Sequence, residues 1–297
     1  LIKGDLSSLF GIGHRIVHGG ERFFQSELIN DEVMSSIENL KELAPLHQGA
    51  HIAGIKALKK EFPGLPHVAV FDTAFHQSMP KKAFLYAIPQ RFYEKYHIRR
   101  YGFHGTSHRY VLSQASKKFD ENQTSLAFVS AHLGNGCSVC ASLDGNSIDT
   151  SMGMTPLEGL VMGQRSGDLD PGIIGYLCDK EQCSPAELIT ILNKNSGLLA
   201  LSKVGADMRL IEEEAQNGNH CAALAIEIFC YRLAKYIASY LVPLQRIDGL
   251  IFTGGIGENS SFIREKVVNM LGFINLSIDA SRNKVHGKDS RGIISLE

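Results

Sequence analysis

Hydrophobic and polar positions follow two periods along this chain, and the switches between them outline its elements. Residues 10–20, FGIGHRIVHGG, read as a short buried strand that ends in a double-glycine turn and carries Arg15. Val33, Ile37 and Leu40 recur at helical spacing over 31–43, behind an acidic start. Pro45 ends that helix and leaves Leu46 and His47 in a loop. A short helix is predicted over 51–61, closed by Pro63-Gly64, and a buried strand over 67–75 with Asp72 near its end. A helix and connector fill 80–100, and a helix follows His104 with Thr106 and Ser107 as ready N-caps. Strands at 126–132 and 138–143 flank the turn Leu133-Gly134-Asn135-Gly136, and Asp144-Gly145-Asn146 turns the chain into a third strand. Helices are predicted at 173–180 and 185–193, from about 207, and at 221–241, with a break at Ser196-Gly197. A strand at 248–253 leads into the glycine loop GGIGENSS and a helix from about Phe262, and the closing GIISLE reads as a strand.

One stretch has neither period. Residues 149–171, DTSMGMTPLEGLVMGQRSGDLDP, are interrupted by Gly153, Gly159, Gly163 and Gly167, yet hold too many apolar side chains for disorder. Its one basic residue, Arg165, has two readings: an ion pair with Asp168 or Asp170, or a guanidinium fork presented to an anion.

Composition narrows the classes. At 297 residues, one large or two ordinary domains are expected. A net charge of −1 with 21% charged residues lacks the basic excess of a nucleic-acid binder. No apolar run reaches bilayer length and no signal peptide is present. The six cysteines have no disulfide-framework spacing, which points to free thiols in a reducing cytoplasm, and the C-x-x-C at Cys137 and Cys140 lies in a strand-like CSVCAS.

Several residues carry candidate chemistry. Arg15, in an apolar strand, needs a carboxylate partner or an anionic ligand. Asp72 falls at the carboxyl end of a strand, where parallel sheets gather ligand groups. His104 is read as a loop imidazole presented to a ligand and His108 as a helical histidine, with no acidic third metal ligand nearby. The HLGNG turn offers either backbone amides for a phosphate or a plain hairpin. GGIGENS completes neither G-x-x-x-x-G-K-[ST] nor G-x-G-x-x-G, although strand, glycine loop and helix in this order suit a phosphate. Without an H-E-x-x-H cluster, a histidine-rich metallohydrolase is disfavoured.

Taken together, GHRIVHGGE (13–21), LAPLH (43–47), VAVFDTAFHQSMP (68–80), RRYGFHGTSHRYV (99–111), AHLGNG (131–136), DTSMGMTPLEGLVMG (149–163), RSGDLDP (165–171), SGLL (196–199), DMR (207–209) and FTGGIGENS (252–260) resemble the acetate kinases. These belong to the superfamily of acetate and sugar kinases, heat-shock chaperones and actin. The resemblance implies an α/β, duplicated actin-like (ribonuclease H-like) two-domain kinase fold. Residues 1–71 would be the remainder of an N-terminal acyl-substrate domain and 72–297 a C-terminal nucleotide-binding domain. It implies reversible ATP-dependent phosphorylation of acetate to acetyl phosphate, with Mg2+ or Mn2+, in a cytoplasmic homodimer serving acetyl-CoA biosynthesis, without nucleic acid or membrane as partner. By motif, Arg15 and Arg165 would clamp the carboxylate and the phosphoryl group, His104 would donate to an equatorial oxygen, and Asp72 would be the catalytic carboxylate. Asp168 or Asp170 would hold the Arg165 guanidinium. Val17, Leu46 and Pro156 would line the methyl pocket, a smaller residue at position 17 accompanying propionate preference. His132, Leu133, Gly134, Asn135, Gly136, Asp207, Met208, Arg209, Gly255, Ile256, Gly257, Glu258 and Asn259 would hold ATP. The family's N-x-G-S-S-S and P-T-N-E-E, which carry a metal-ligating Asn and Glu, are not in this sequence. The first domain is therefore expected to be incomplete, with no metal ligand in this chain and weak or no activity as it stands. The segment after His47, the ALSKVGAD stretch and Cys137 also depart from the family pattern. Alternatives are a propionate or short-chain acyl kinase, or a non-catalytic nucleotide-binding protein of the same fold.

Overall fold

The computed structural model describes residues 8–43, 48–119 and 125–296. β1 (Ile12–Ile16), β2 (Glu27–Leu28), α1 (Asp31–Asn39), α2 (Gln48–Glu61) and β3 (His67–Phe71) build the first layer. β1 and β3 run parallel, with Arg15 opposite Val70 and Ile16 opposite Phe71, and β2 adds antiparallel to the far edge of β3. α1 starts where the Asn30 side chain accepts from the Val33 N–H, and Asp31 and Glu32 complement its dipole. The helix predicted to 43 stops at Asn39, and Leu40–Leu43 tighten into a 3-10 turn. Ile16, Phe23, Ile37, Ile55 and Phe71 close one core, in which the Phe23 and Phe71 rings stack at 4.2 Å.

The connector predicted at 80–100 holds α3 (Lys81–Phe84) and α4 (Arg91–Tyr96), after which α5 (Gly105–Ser116) begins. Thr106 and Ser107 are not its N-caps: that position falls on His104, in the left-handed region at φ 57°, and leaves both hydroxyls inside the first turn. β4 (Ala127–Leu133), β5 (Cys137–Leu143) and β6 (Asn146–Thr150) form the expected antiparallel meander. Then come α6 (Gly172–Glu181), α7 (Pro185–Lys194), α8 (Gly197–Ser202), α9 (Met208–Gln216), α10 (His220–Ser239) and α11 (Leu241–Leu244). β7 (Gly249–Thr253) returns parallel to β4 and completes a sheet of order β6-β5-β4-β7. α10 buries Ala222, Ala225, Ile226, Phe229, Leu233 and Ile237 in the second core, together with the inner faces of β4 and β5.

Two expectations fail toward the end of the chain. The glycine loop after β7 is helical, α12 (Gly254–Asn259), followed by α13 (Ser261–Met270) and α14 (Ala280–Lys284). Arg264 of α13 donates to the Gly257 and Glu258 carbonyls at 2.8 and 2.9 Å and so satisfies the end of this short helix. The closing strand is reduced to an isolated bridge between Ile278 and Ser295. Cys137 and Cys140 lie buried in β5 as free thiols, and burial pushes both up to about 12, so they act as small apolar side chains. Among the described residues no helix is long and apolar enough to cross a membrane.

Candidate active site

The site forms where β1, β3, the start of α5 and the β4–β5 turn come together. Asp72 directly follows β3 and its N–H bonds the Ile16 carbonyl at 2.9 Å, which brings the ends of both strands level. Its carboxylate takes the Arg15 fork, Nε to Oδ1 at 2.9 Å and Nη2 to Oδ2 at 2.5 Å. The Asp72 side chain is 3% exposed, whereas that of Arg15 is 64% exposed, so the pair pins the cation but leaves its outer face to a ligand. The chain then returns at Gly105, whose N–H donates to the Asp72 carbonyl at 2.9 Å and seats His104 beside the pair.

The His104 and His132 rings lie 4.3 Å apart, tilted by 32°, and Ser107 lies 2.8 Å from His132 Nδ1. Burial, then the neighbouring His132, Arg15 and Arg165, hold His104 well below the ordinary imidazole value, so it is neutral. A Cβ placed on Gly136 would stand 3.3 Å from Arg165 Nη1 and 3.4 Å from His104 Nε2, which locates both tips at the β4–β5 turn.

The irregular stretch 149–171 is held from several sides. Arg100 donates to the Thr150 and Ser151 carbonyls at 2.8 and 3.0 Å and to Glu158 at 2.5 Å. The Tyr86 hydroxyl bonds the same Glu158 carboxylate at 2.5 Å. The N–H groups of Leu198 and Leu199 bond the Met162 and Gly163 carbonyls, and Gly163 N–H bonds the Asn135 carbonyl, each at 2.9 Å. Arg165 is therefore rigidly presented, but not by a carboxylate. The expected hold by Asp168 or Asp170 fails: Asp168 accepts from Gly159 N–H and Tyr236, and Asp170 accepts from Gly172 N–H. Arg165 Nη1 instead reaches the Pro156 carbonyl at 3.3 Å, and desolvation lowers its pKa from the usual guanidinium value.

Two cavities meet at this turn. Arg15, Asp72, His104, His132, Gly134, Asn135 and Gly136 line a cleft of about 580 Å3. Gly134 and Asn135 also line a second space of about 740 Å3 with Asp207, Met208, Arg209, Gly255, Ile256 and Asn259. Leu133 and Gly257 are buried beneath these walls, and Glu258 accepts from the Thr253 hydroxyl. Gly254 has φ +78°, and a Cβ there would come within 2.8 Å of the Leu133 backbone, so glycine allows α12 to rest on the end of β4. Asp207 caps α9 by accepting from the Arg209 N–H and also takes the Arg209 guanidinium. Val17 is buried in the second core, Pro156 is half-buried, and Leu46 lies outside the described residues.

The sequence reading missed Glu212 and Ser260, which are joined at 2.6 Å on the wall of the larger cavity. The four-residue spacing of Met208 and Glu212 on one helix face was the available signal. Among the described residues no group of three or more His, Cys, Asp or Glu side chains could hold a metal ion, and both Asp72 oxygens face Arg15.

A mixed α/β fold whose two cavities share one turn, with fixed cations beside it, is that of the actin-like kinases. The acetokinase family model matches residues 1–297, and the chain belongs to that family. It is 54% identical over 283 residues to the acetate kinase of Pseudothermotoga lettingae, covering 95% of this chain and 70% of that protein. It is likewise 54% identical over 296 residues to the acetate kinase of Shewanella amazonensis, covering 100% of this chain and 73% of the relative. Among solved structures, a propionate kinase from Francisella tularensis superposes with TM-score 0.93 at 48% identity, over 98% of this chain and 74% of that one. Porphyromonas gingivalis acetate kinase superposes with TM-score 0.90 at 41% identity, over 98% and 73%.

Proposed function

We propose that the chain transfers the terminal phosphoryl group of ATP to the carboxylate of acetate, reversibly. The observation that carries this reading is the turn Gly134-Asn135, shared by the nucleotide-sized cavity and the cleft of Arg15 and His104. ATP would lie in the larger space with its phosphates against the β4–β5 turn and α12. Acetate would sit beside Arg15 with its methyl group toward Val17, Pro156 and Leu46. A carboxylate is already a competent nucleophile, so the chemistry asks for alignment and charge compensation rather than a strong base. Arg15 and Arg165 would hold the carboxylate and the migrating group, and the His104 N–H would donate to an equatorial oxygen. Asp72 acts by fixing Arg15.

A divalent cation, Mg2+ or Mn2+, is proposed to enter with ATP, because phosphate oxygens supply ligands that the described residues do not. When bound it would neutralise phosphate charge. We further propose the division into domains at about residue 72, a cytoplasmic location consistent with the free thiols, and a homodimer through the outer face of α10, where Leu224 and Tyr231 are exposed. Propionate is the second acyl substrate to test, since the 48%-identical neighbour is a propionate kinase.

The test is ATP formation from acetyl phosphate and ADP by the full translation product, with and without EDTA. ATP is expected only with free divalent cation. No ATP from acetyl, propionyl or butyryl phosphate would refute the kinase reading, and full activity in EDTA would refute the cation.

A further inference from the structure

A file of buried side chains runs behind His104, away from the cleft. His104 Nδ1 lies 2.9 Å from the Ser138 hydroxyl oxygen. That oxygen is 2.8 Å from His108 Nε2, and His108 Nδ1 is 2.7 Å from the Ser130 hydroxyl oxygen. Ser138, His108 and Ser130 are fully buried. Burial holds His108, like His104, well below the ordinary imidazole value, so both rings are neutral.

A neutral imidazole has one N–H and one bare nitrogen, and a hydroxyl has one proton and two lone pairs; were Ser138 to accept from both rings, its own proton would have no acceptor in the file, so two continuous directions remain. In the first, Ser130 donates to His108 Nδ1, His108 Nε2–H donates to Ser138, and Ser138 donates to His104 Nδ1. The His104 proton is then on Nε2, the atom beside Gly136 and Arg165. In the second, every bond reverses. The Ser130 proton then lacks an acceptor, because among the described residues His108 is the hydroxyl's one side-chain partner. A buried donor without an acceptor is penalised, and His104 would also turn a lone pair toward the arriving phosphate oxygens. The first direction satisfies every group.

We infer that Ser138, His108 and Ser130 are positioning residues that hold His104 as the neutral Nε2–H tautomer, ready to donate to the transferring phosphoryl group. The tautomer stands on the hydrogen-bond geometry, and only its use rests on the kinase reading. It is read directly by 15N NMR of the full translation product with labelled histidine, without substrate, the His104 signal being assigned by its loss in His104→Gln. A protonated Nε2 and a bare Nδ1 are expected near neutral pH. Ser138→Ala should give a tautomer mixture and a kcat lowered about 10- to 100-fold, less than the roughly 10⁴ that a fully wrong tautomer costs a catalytic histidine. The KM for acetate should stay nearly unchanged, and Ser138→Thr, which keeps the hydroxyl, should restore the wild-type signature.

A proton on Nδ1 in the wild-type protein overturns the inference whether or not the variants fold. So does Ser138→Ala with both signature and kcat unchanged. If the Nε2–H signature is present but no acyl phosphate forms, the kinase reading fails and the tautomer assignment stands.

Discussion

Arg15 and Arg165 are both cations at one cleft, but the protein holds them differently. Arg15 is locked by the buried Asp72 fork, whereas Arg165 rests on a carbonyl and has no carboxylate among its described partners. A partly buried, uncompensated guanidinium is most stable once an anion arrives. Arg165→Ala should therefore lower kcat by about 10²- to 10³-fold, the usual loss for one fixed donor at developing charge. Its melting temperature should equal or exceed that of the wild type, which calorimetry can check. Val17→Ala should move the kcat/KM preference from acetate toward propionate by about 1–3 kcal/mol, the worth of one methylene, measurable with the two acids side by side. The residue types of this site were legible because an arginine in an apolar strand and another in a glycine-rich loop both need an anion. Their partners were not. Asp168 stands three residues from Arg165 in sequence, yet the fold turns it to Gly159 N–H and Tyr236, while Asp72 reaches Arg15 from another strand.

Among the elements, α5 depends most on one close approach. A Cβ at Gly105 would stand 2.3 Å from the Asp72 carbonyl oxygen and 2.9 Å from the Phe75 Cβ. Gly105→Ala must push the start of α5 away from β3, and it should cost about 1–3 kcal/mol of stability by overpacking. Because the same shift moves His104 off Arg15, kcat should also fall. Denaturant midpoints and turnover on the same preparation check both. The β4–β5–β6 meander was readable from alternation and Asn-Gly or Asp-Gly turns. α12 was not, since its glycines have poor helix propensity and it forms by docking on the end of β4 and by its bonds to Arg264. The irregular 149–171 stretch was likewise visible as irregular. The groups that fasten it, the Arg100 and Tyr86 side chains and the backbone N–H groups of α8, come from distant positions that local pattern does not join.

Across the whole molecule, buried neutral histidines couple folding to pH. Burial pulls both His18 and His76 down to about 4 from the ordinary 6.5. Below pH 6.5 the unfolded chain therefore binds protons that the folded chain refuses, and stability declines as pH falls. The stability is fully present above pH 6.5 and is lost progressively toward pH 4, by up to about 3 kcal/mol for each histidine. Urea midpoints should be flat from pH 7 to 8 and drop steadily from 6.5 to 4. A midpoint unchanged at pH 4.5 would contradict neutral burial. At the same scale the two cavities meet at one turn, where a phosphoryl group would cross from ATP to acetate. The most direct measurement is acetyl hydroxamate formed from ATP, acetate and hydroxylamine by the full translation product, beside its Arg165→Ala variant. Hydroxamate is expected from the wild type, with a rate at least about 100-fold lower in the variant. No hydroxamate from acetate, propionate or butyrate, or an undiminished rate in Arg165→Ala, would contradict it.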